Sequence, residues 1–392
     1  MKYRYLVGAS TARMGDESSG PALLLLGFAV TRSAGAGSAL LAGLTIAAAA
    51  GGPLFGAALD GSRRPERILA GALAAYALGI GAIQVSMGKL PLLLVVCLAV
   101  VTGLSGPAVA GGWTSQLPRV VSGDALARFS ALDALTFDVA SLAGPALAAV
   151  IAAWLGARPA VAVSATLVAL AVPAACSLAP APVSGAAEKP LRRQLAEGFT
   201  IIIQRRALLR ATATSVVSYL GIGMLLVCCP VLGQQRLGGA SRGALLISAA
   251  AVAAVISNVV LARRPPRRPD ALVLASTLLL SLSLGAAAVT PGWLTMLAVG
   301  SSGVGQGPQL TGLLAVRHRE SPAAVRGQVF TTAASLKIGG LAAGTALAGP
   351  LAGRSAITCL LAAAGIQVVA AAVYLAIRTD PVSRNPATCG GR

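Results

Sequence analysis

The groups of this 392-residue chain best placed to do chemistry are charged and amide side chains inside long apolar runs. Arg13, Asp16 and Glu17 stand close together in the first such run. Offsets of three and four put them on one side of a helix. Asp138 lies deep in a second run and Lys337 in a third, with Gln306 and Gln309 between two further stretches of Gly and Leu. Charge at the centre of a bilayer costs at least about 2.5 kcal/mol, so such groups must meet water, each other, or a partner helix. A carboxyl in a low-dielectric site tends to hold its proton until water or a cation arrives, and this permits proton or cation binding. Other chemistries lack their residues. The single histidine, His318, falls in a loop between apolar runs, and no pair among the six cysteines has metal-ligand spacing, so no metal site is expected. No Gly-x-x-x-x-Gly-Lys-Ser/Thr stretch occurs, and no cofactor is expected.

These residues need long apolar elements to hold them. Hydrophobic residues make up 56% of the chain and charged residues 11%, too few charges to cover a water-facing surface. A crossing helix needs about 20 residues. Twelve runs qualify, near 4–30, 37–59, 67–87, 91–115, 128–155, 158–179, 207–232, 243–262, 270–289, 293–316, 325–350 and 355–377. The expected fold is therefore an all-α membrane protein with twelve transmembrane helices in two pseudo-symmetric six-helix bundles. Residues 1–180 form the N-terminal bundle and 207–378 the C-terminal one. A cytoplasmic linker with an amphipathic segment covers 181–206, and a cytoplasmic tail covers 379–392. The apolar stretch at the N-terminus is too short for a signal peptide, so the first helix is expected to be retained.

The formal net charge of +19 does not indicate nucleic acid, because the cations sit in short clusters between apolar runs with few aromatics. With both termini inside, 23 of the 31 Lys and Arg fall on the cytoplasmic side and 6 on the other. That asymmetry follows the positive-inside rule and supports the count of twelve. Trp154 and Trp293 fall at outer ends and Trp113 near an inner end, where interfacial anchoring is expected. A shift of 198 positions lays Arg119 on Arg317, Arg128 on Arg326 and Asp60 on Asn258. It also brings Asp138 to within one position of Lys337. Acid and base then reach similar depth in the fifth and eleventh helices, where they either pair or face a shared cavity. The helix 7 hydroxyls, from Thr212 to Tyr219, are expected to cement helices.

The loop after the second run reads Gly56-Ala-Ala-Leu-Asp60-Gly-Ser-Arg63-Arg64. It resembles the loop between helices 2 and 3 of the major facilitator superfamily, with Gly56, Asp60 and Arg64 in matching places. Arg63 stands where that family usually has Gly, and Gly61 where it has a base. In the fifth run Gly144-Pro145 is similar to the antiporter motif of exporters in the same superfamily, with several of its glycines replaced by Ala. The resemblance implies two rocking halves around a central site, with the 2–3 loop latching the inner end. It implies secondary transport rather than catalysis. The expectation is a monomeric plasma-membrane protein that exports small apolar or cationic compounds against protons. An importer or facilitator of a metabolite, a membrane enzyme and a transport-dead sensor are the alternatives.

Overall fold

The structure, a computed structural model, describes residues 1–123, 125–178, 191–239 and 242–379. The linker before residue 191 and the tail from residue 380 lie outside the described residues. Ala, Leu and Gly dominate each apolar run, and in the absence of water each backbone group must bond within its own segment, so the runs fold as helices. The first six-helix group is α1 (Lys2–Thr31), α2 (Ala34–Gly61), α3 (Pro65–Ser86), α4 (Leu92–Ser115), α5 (Ala125–Leu155) and α6 (Ala157–Cys176). The second is α7 (Arg206–Arg236), α8 (Gly243–Arg263), α9 (Pro269–Val289), α10 (Leu294–Glu320), α11 (Arg326–Arg354) and α12 (Ala356–Ala376). A short helix, Leu191–Gln204, precedes the second group. Among the described residues, nine of the twelve helices are long and apolar enough to cross a membrane on composition alone. The other three are α1, α10 and α11, which are as long but hold the polar residues singled out above.

The two groups repeat one packing scheme. In the first, α1 packs on α5 and α6, α3 on α6, and α2 on α4. In the second, α7 packs on α11 and α12, α9 on α12, and α8 on α10. Between groups α2 meets α11 and α8 meets α5, as two-fold related halves require. Glycine permits the same close approach in both: a Cβ on Gly27 would strike Gly37 between α1 and α2, and one on Gly233 would strike Gly243 between α7 and α8. The third helix of each half opens alike, with Arg63-Arg64-Pro65-Glu66 and Arg267-Arg268-Pro269-Asp270. Proline begins each helix and an acid follows in the first turn, favourable positions for both.

Trp113 differs from its expected interfacial place. It is fully buried, its ring 5.8 Å from that of Tyr5, because Gly8 of α1 leaves room for it. A π-helical turn, Ala108–Gly112, widens α4 just before it.

Candidate functional site

Every hydrogen bond between the two halves among the described residues lies between mid-helix and the arginine-rich end. Ser335 donates to Ala48 carbonyl at 2.6 Å and accepts from Gly52 N–H at 3.0 Å. Asp60 carboxylate accepts from Gly327 N–H at 2.8 Å and from Gln328 N–H at 2.7 Å. These two donors belong to the first turn of α11, whose unpaired N–H groups and positive dipole end favour an anion. Gly52 and Gly56 flatten one face of α2, so that Thr331 and Gln328 of α11 sit directly against it. A methyl group at Gly56 meets the Gln328 backbone and cannot be absorbed by a side-chain rotation. Gly56→Ala is therefore expected to loosen this end, seen as faster labelling of a cysteine placed at buried Thr331. Of the motif residues, Arg64 takes no part in the latch; its side chain is exposed and its N–H bonds Ser62. The short helix before α7 reinforces the closure: Gln328 Nε2 donates to Leu195 carbonyl at 3.1 Å, and Gly198 packs on the Gln328 side chain.

Asn258, which the 198-residue shift lays on Asp60, also bridges the halves. Its Nδ2 donates to Asp138 at 2.5 Å, and its Oδ1 accepts from Thr311 at 2.7 Å. Asp138 thus binds α8, and no carboxylate lies within 4.0 Å of Lys337 among the described residues. Of the two arrangements left open for Asp138 and Lys337, direct pairing is absent.

Arg13 departs from the expected cavity wall. It is 1% exposed and forms a buried ion pair with Asp133 at 2.9 Å. Its guanidinium also donates to Thr136 and, at 2.8 Å, to Thr114. Asp133 further accepts from Tyr5 hydroxyl at 2.8 Å and Thr114 hydroxyl at 2.8 Å. The network ties α1, α4 and α5 together. A buried guanidinium persists only when its charge is met, and Asp133 meets it, although Nε is left without a hydrogen-bond partner among the described residues.

Asp16 and Glu17 sit near mid-helix and are partly exposed. Asp16 accepts from Tyr76 of α3 at 2.6 Å. Among the described residues Glu17 makes no hydrogen bond or ion pair, and its backbone rests on Gly144 of α5, next to Pro145. Gly144 therefore sets how close Glu17 stands to α5. Lys337 acts electrostatically on both Glu17 and Asp138. Its ammonium lies 4.5 Å from the ring centre of Tyr219 and 5.6 Å from that of Phe137. Arg13 stacks on the same Phe137 ring at 3.6 Å.

The two glutamines divide. Gln309 is buried, donating to Ser218 at 3.0 Å and Thr277 at 2.7 Å, with Gln367 also on Ser218. It cements α7, α9, α10 and α12. Gln306 is partly exposed, and among the described residues it bonds only Ser302 of its own helix, at 3.1 Å. His318 lies in the last turn of α10 rather than in a loop, buried with its ring 4.5 Å from Phe330. Tyr76 and Phe137 are not singled out by the sequence, where Tyr219 reads only as a helix-cementing hydroxyl. A tyrosine or phenylalanine in an apolar span carries no signal of its own; only the need of Asp16 and Lys337 for partners points to them.

The arrangement is a set of mid-helix ionisable groups between two halves that are closed at one end. The Major Facilitator Superfamily model matches residues 5–345. An uncharacterized MFS-type transporter, y4rN, of Sinorhizobium fredii is 32% identical over 139 residues, which span 35% of this chain and 34% of that protein. The chain thus matches about a third of that relative's length. Among solved structures, the human organic anion transporter MFSD10 is similar with a TM-score of 0.77 at 16% identity, covering 95% of this chain and 98% of that one. A bacterial homologue of the iron transporter ferroportin, in an outward-facing state, gives 0.75 at 16% identity over 96% and 98%. The proton:xylose symporter XylE gives 0.73 at 13% identity over 96% and 95%. At these identities the structural likeness carries the fold, and the family match carries the kinship: this chain belongs to the Major Facilitator Superfamily.

Proposed function

We propose that this chain is a proton-coupled secondary transporter of the plasma membrane that exports small apolar or cationic compounds by alternating access, acting as a monomer. By the positive-inside rule the arginine-rich end and both termini face the cytosol, and the described state is closed toward it. The observation that carries the reading is Glu17: a carboxyl at mid-helix, partly exposed, with no hydrogen-bond or ion-pair partner among the described residues. Asp16 is its neighbour in the chain and Asp138 feels the same Lys337, and each is held by one neutral donor, Tyr76 and Asn258. Three carboxyls against the single Lys337 leave the site in need of cations, and a proton or a cationic compound meets that need. Occupancy by one excludes the other, which is the elementary requirement for exchange. The latch at Asp60 must break for the cytosolic end to open.

An importer or facilitator on the same fold is the second reading, since a partly exposed Gln306 offers neutral hydrogen bonds to a metabolite. Inside-out proteoliposomes with an acidic interior separate the two. Export predicts that ethidium accumulates inside, and that Glu17→Gln lowers uptake to the level of empty vesicles. Flux that is equal with and without the pH gradient contradicts proton coupling.

A further inference from the structure

Lys337 holds an unusual position for an ammonium at a mid-helix level with more acids than bases. Its Nζ lies on the face of Tyr219, 3.5 Å from the hydroxyl, and toward the face of Phe137. Both carboxyls that feel its charge are more than 4.0 Å away. Phe137 comes from α5 and Tyr219 from α7, so the aromatic pair spans the two halves. Two ring faces converging on one ammonium form a site whose chemistry suits any organic cation. In the described state the occupant is the protein's own side chain.

The neighbours restrict where that ammonium goes if displaced. Arg13 also stacks on Phe137 and is locked to Asp133. Asp138 is engaged by Asn258, and Asp16 by Tyr76. Glu17 alone is unengaged.

We infer that Lys337 is a tethered stand-in for the transported cation: an aromatic or quaternary ammonium compound displaces it from the Phe137–Tyr219 cage, and it swings onto Glu17. The step balances. The neutral Glu17 carboxyl loses its proton to water, the carboxylate pairs with Lys337, and the arriving cation takes the place of the ammonium. The summed charge of the site is unchanged, and a proton leaves for each cation bound. The inference rests on the proposed proton-coupled cation transport and adds the cage, the ligand class and the role of Lys337.

The test uses the purified full-length chain, with tetraphenylphosphonium as probe and calorimetry in buffers of different ionisation enthalpy, which counts released protons. The wild type is expected to bind the probe and release a proton. Lys337→Met removes the competitor, so affinity rises by about tenfold, the worth of one ammonium–aromatic contact. Proton release then falls, because no ammonium is driven onto Glu17. Tyr219→Leu is expected to weaken binding, and helix content by circular dichroism controls for folding. Unchanged or weaker binding by Lys337→Met, with wild-type proton release, overturns the inference and leaves the proposed function standing. Absence of probe binding by a folded wild type overturns both.

Discussion

Replacing Arg13 with methionine is expected to destabilise the protein by about 3–5 kcal/mol, the cost of stripping one partner from a buried ion pair. Asp133 is then left with no cation at a site with no exposure. Its two hydroxyl donors, Tyr5 and Thr114, remain, but they do not neutralise it. Asp133→Leu leaves the guanidinium equally stranded and is expected to cost a similar amount. The double variant Arg13→Met, Asp133→Leu removes both charges and is expected to recover most of the loss. Unfolding titrations in mixed micelles measure all three. Near-additive losses in the double variant would mean the two residues act apart. Transport should fall with the amount of folded protein.

The second large effect is conformational. Asp60 takes two backbone N–H groups at the start of α11, across the boundary between halves. Charge-assisted bonds of this kind contribute about 1.5–3 kcal/mol each, and the helix dipole adds to them. Asp60→Ala is therefore expected to shift the balance toward opening of the arginine-rich end by about 3 kcal/mol, on the order of a hundredfold. Asp60→Asn keeps one acceptor oxygen and is expected to fall between. The readout is the rate at which a water-soluble maleimide modifies a cysteine at Thr331, a buried position beneath the latch. A rate unchanged by Asp60→Ala would remove Asp60 from the closing mechanism.

Much of this architecture was legible in the sequence, because membrane spans are written in composition and sidedness in arginines. The duplicated fold could be read from Arg119 with Arg317 and from Asp60 with Asn258, and both latter residues bridge the halves. A clearer sign, the Arg-Arg-Pro-acid start of α3 and α9, was passed over because it follows an offset of 204 rather than 198. Loops of different length between the copies cause that slip. The site was less legible. Arg13, Asp16 and Glu17 do share one side of α1, but that arc is roughly 100° wide and touches several neighbours. A long arginine on it reaches α5 and is buried, Asp16 bonds α3, and Glu17 alone is left unengaged. Which neighbour each side chain meets is a property of packing that helical periodicity does not contain. The same holds for Gln309, buried in a hydroxyl network, and Gln306, three positions earlier and partly exposed.

Alternating access around the mid-helix carboxyls is the claim on which the rest depends, and paired spin labels test it directly. One pair replaces Arg67 and Arg268 at the arginine-rich end, the other Leu155 and Arg354 at the opposite end, all exposed positions. On a background without native cysteines, changing pH or adding a cationic substrate should lengthen one distance while shortening the other. Glu17→Gln should abolish the pH response. Two distances that stay fixed, or that lengthen together, would contradict a rocking exchange between halves.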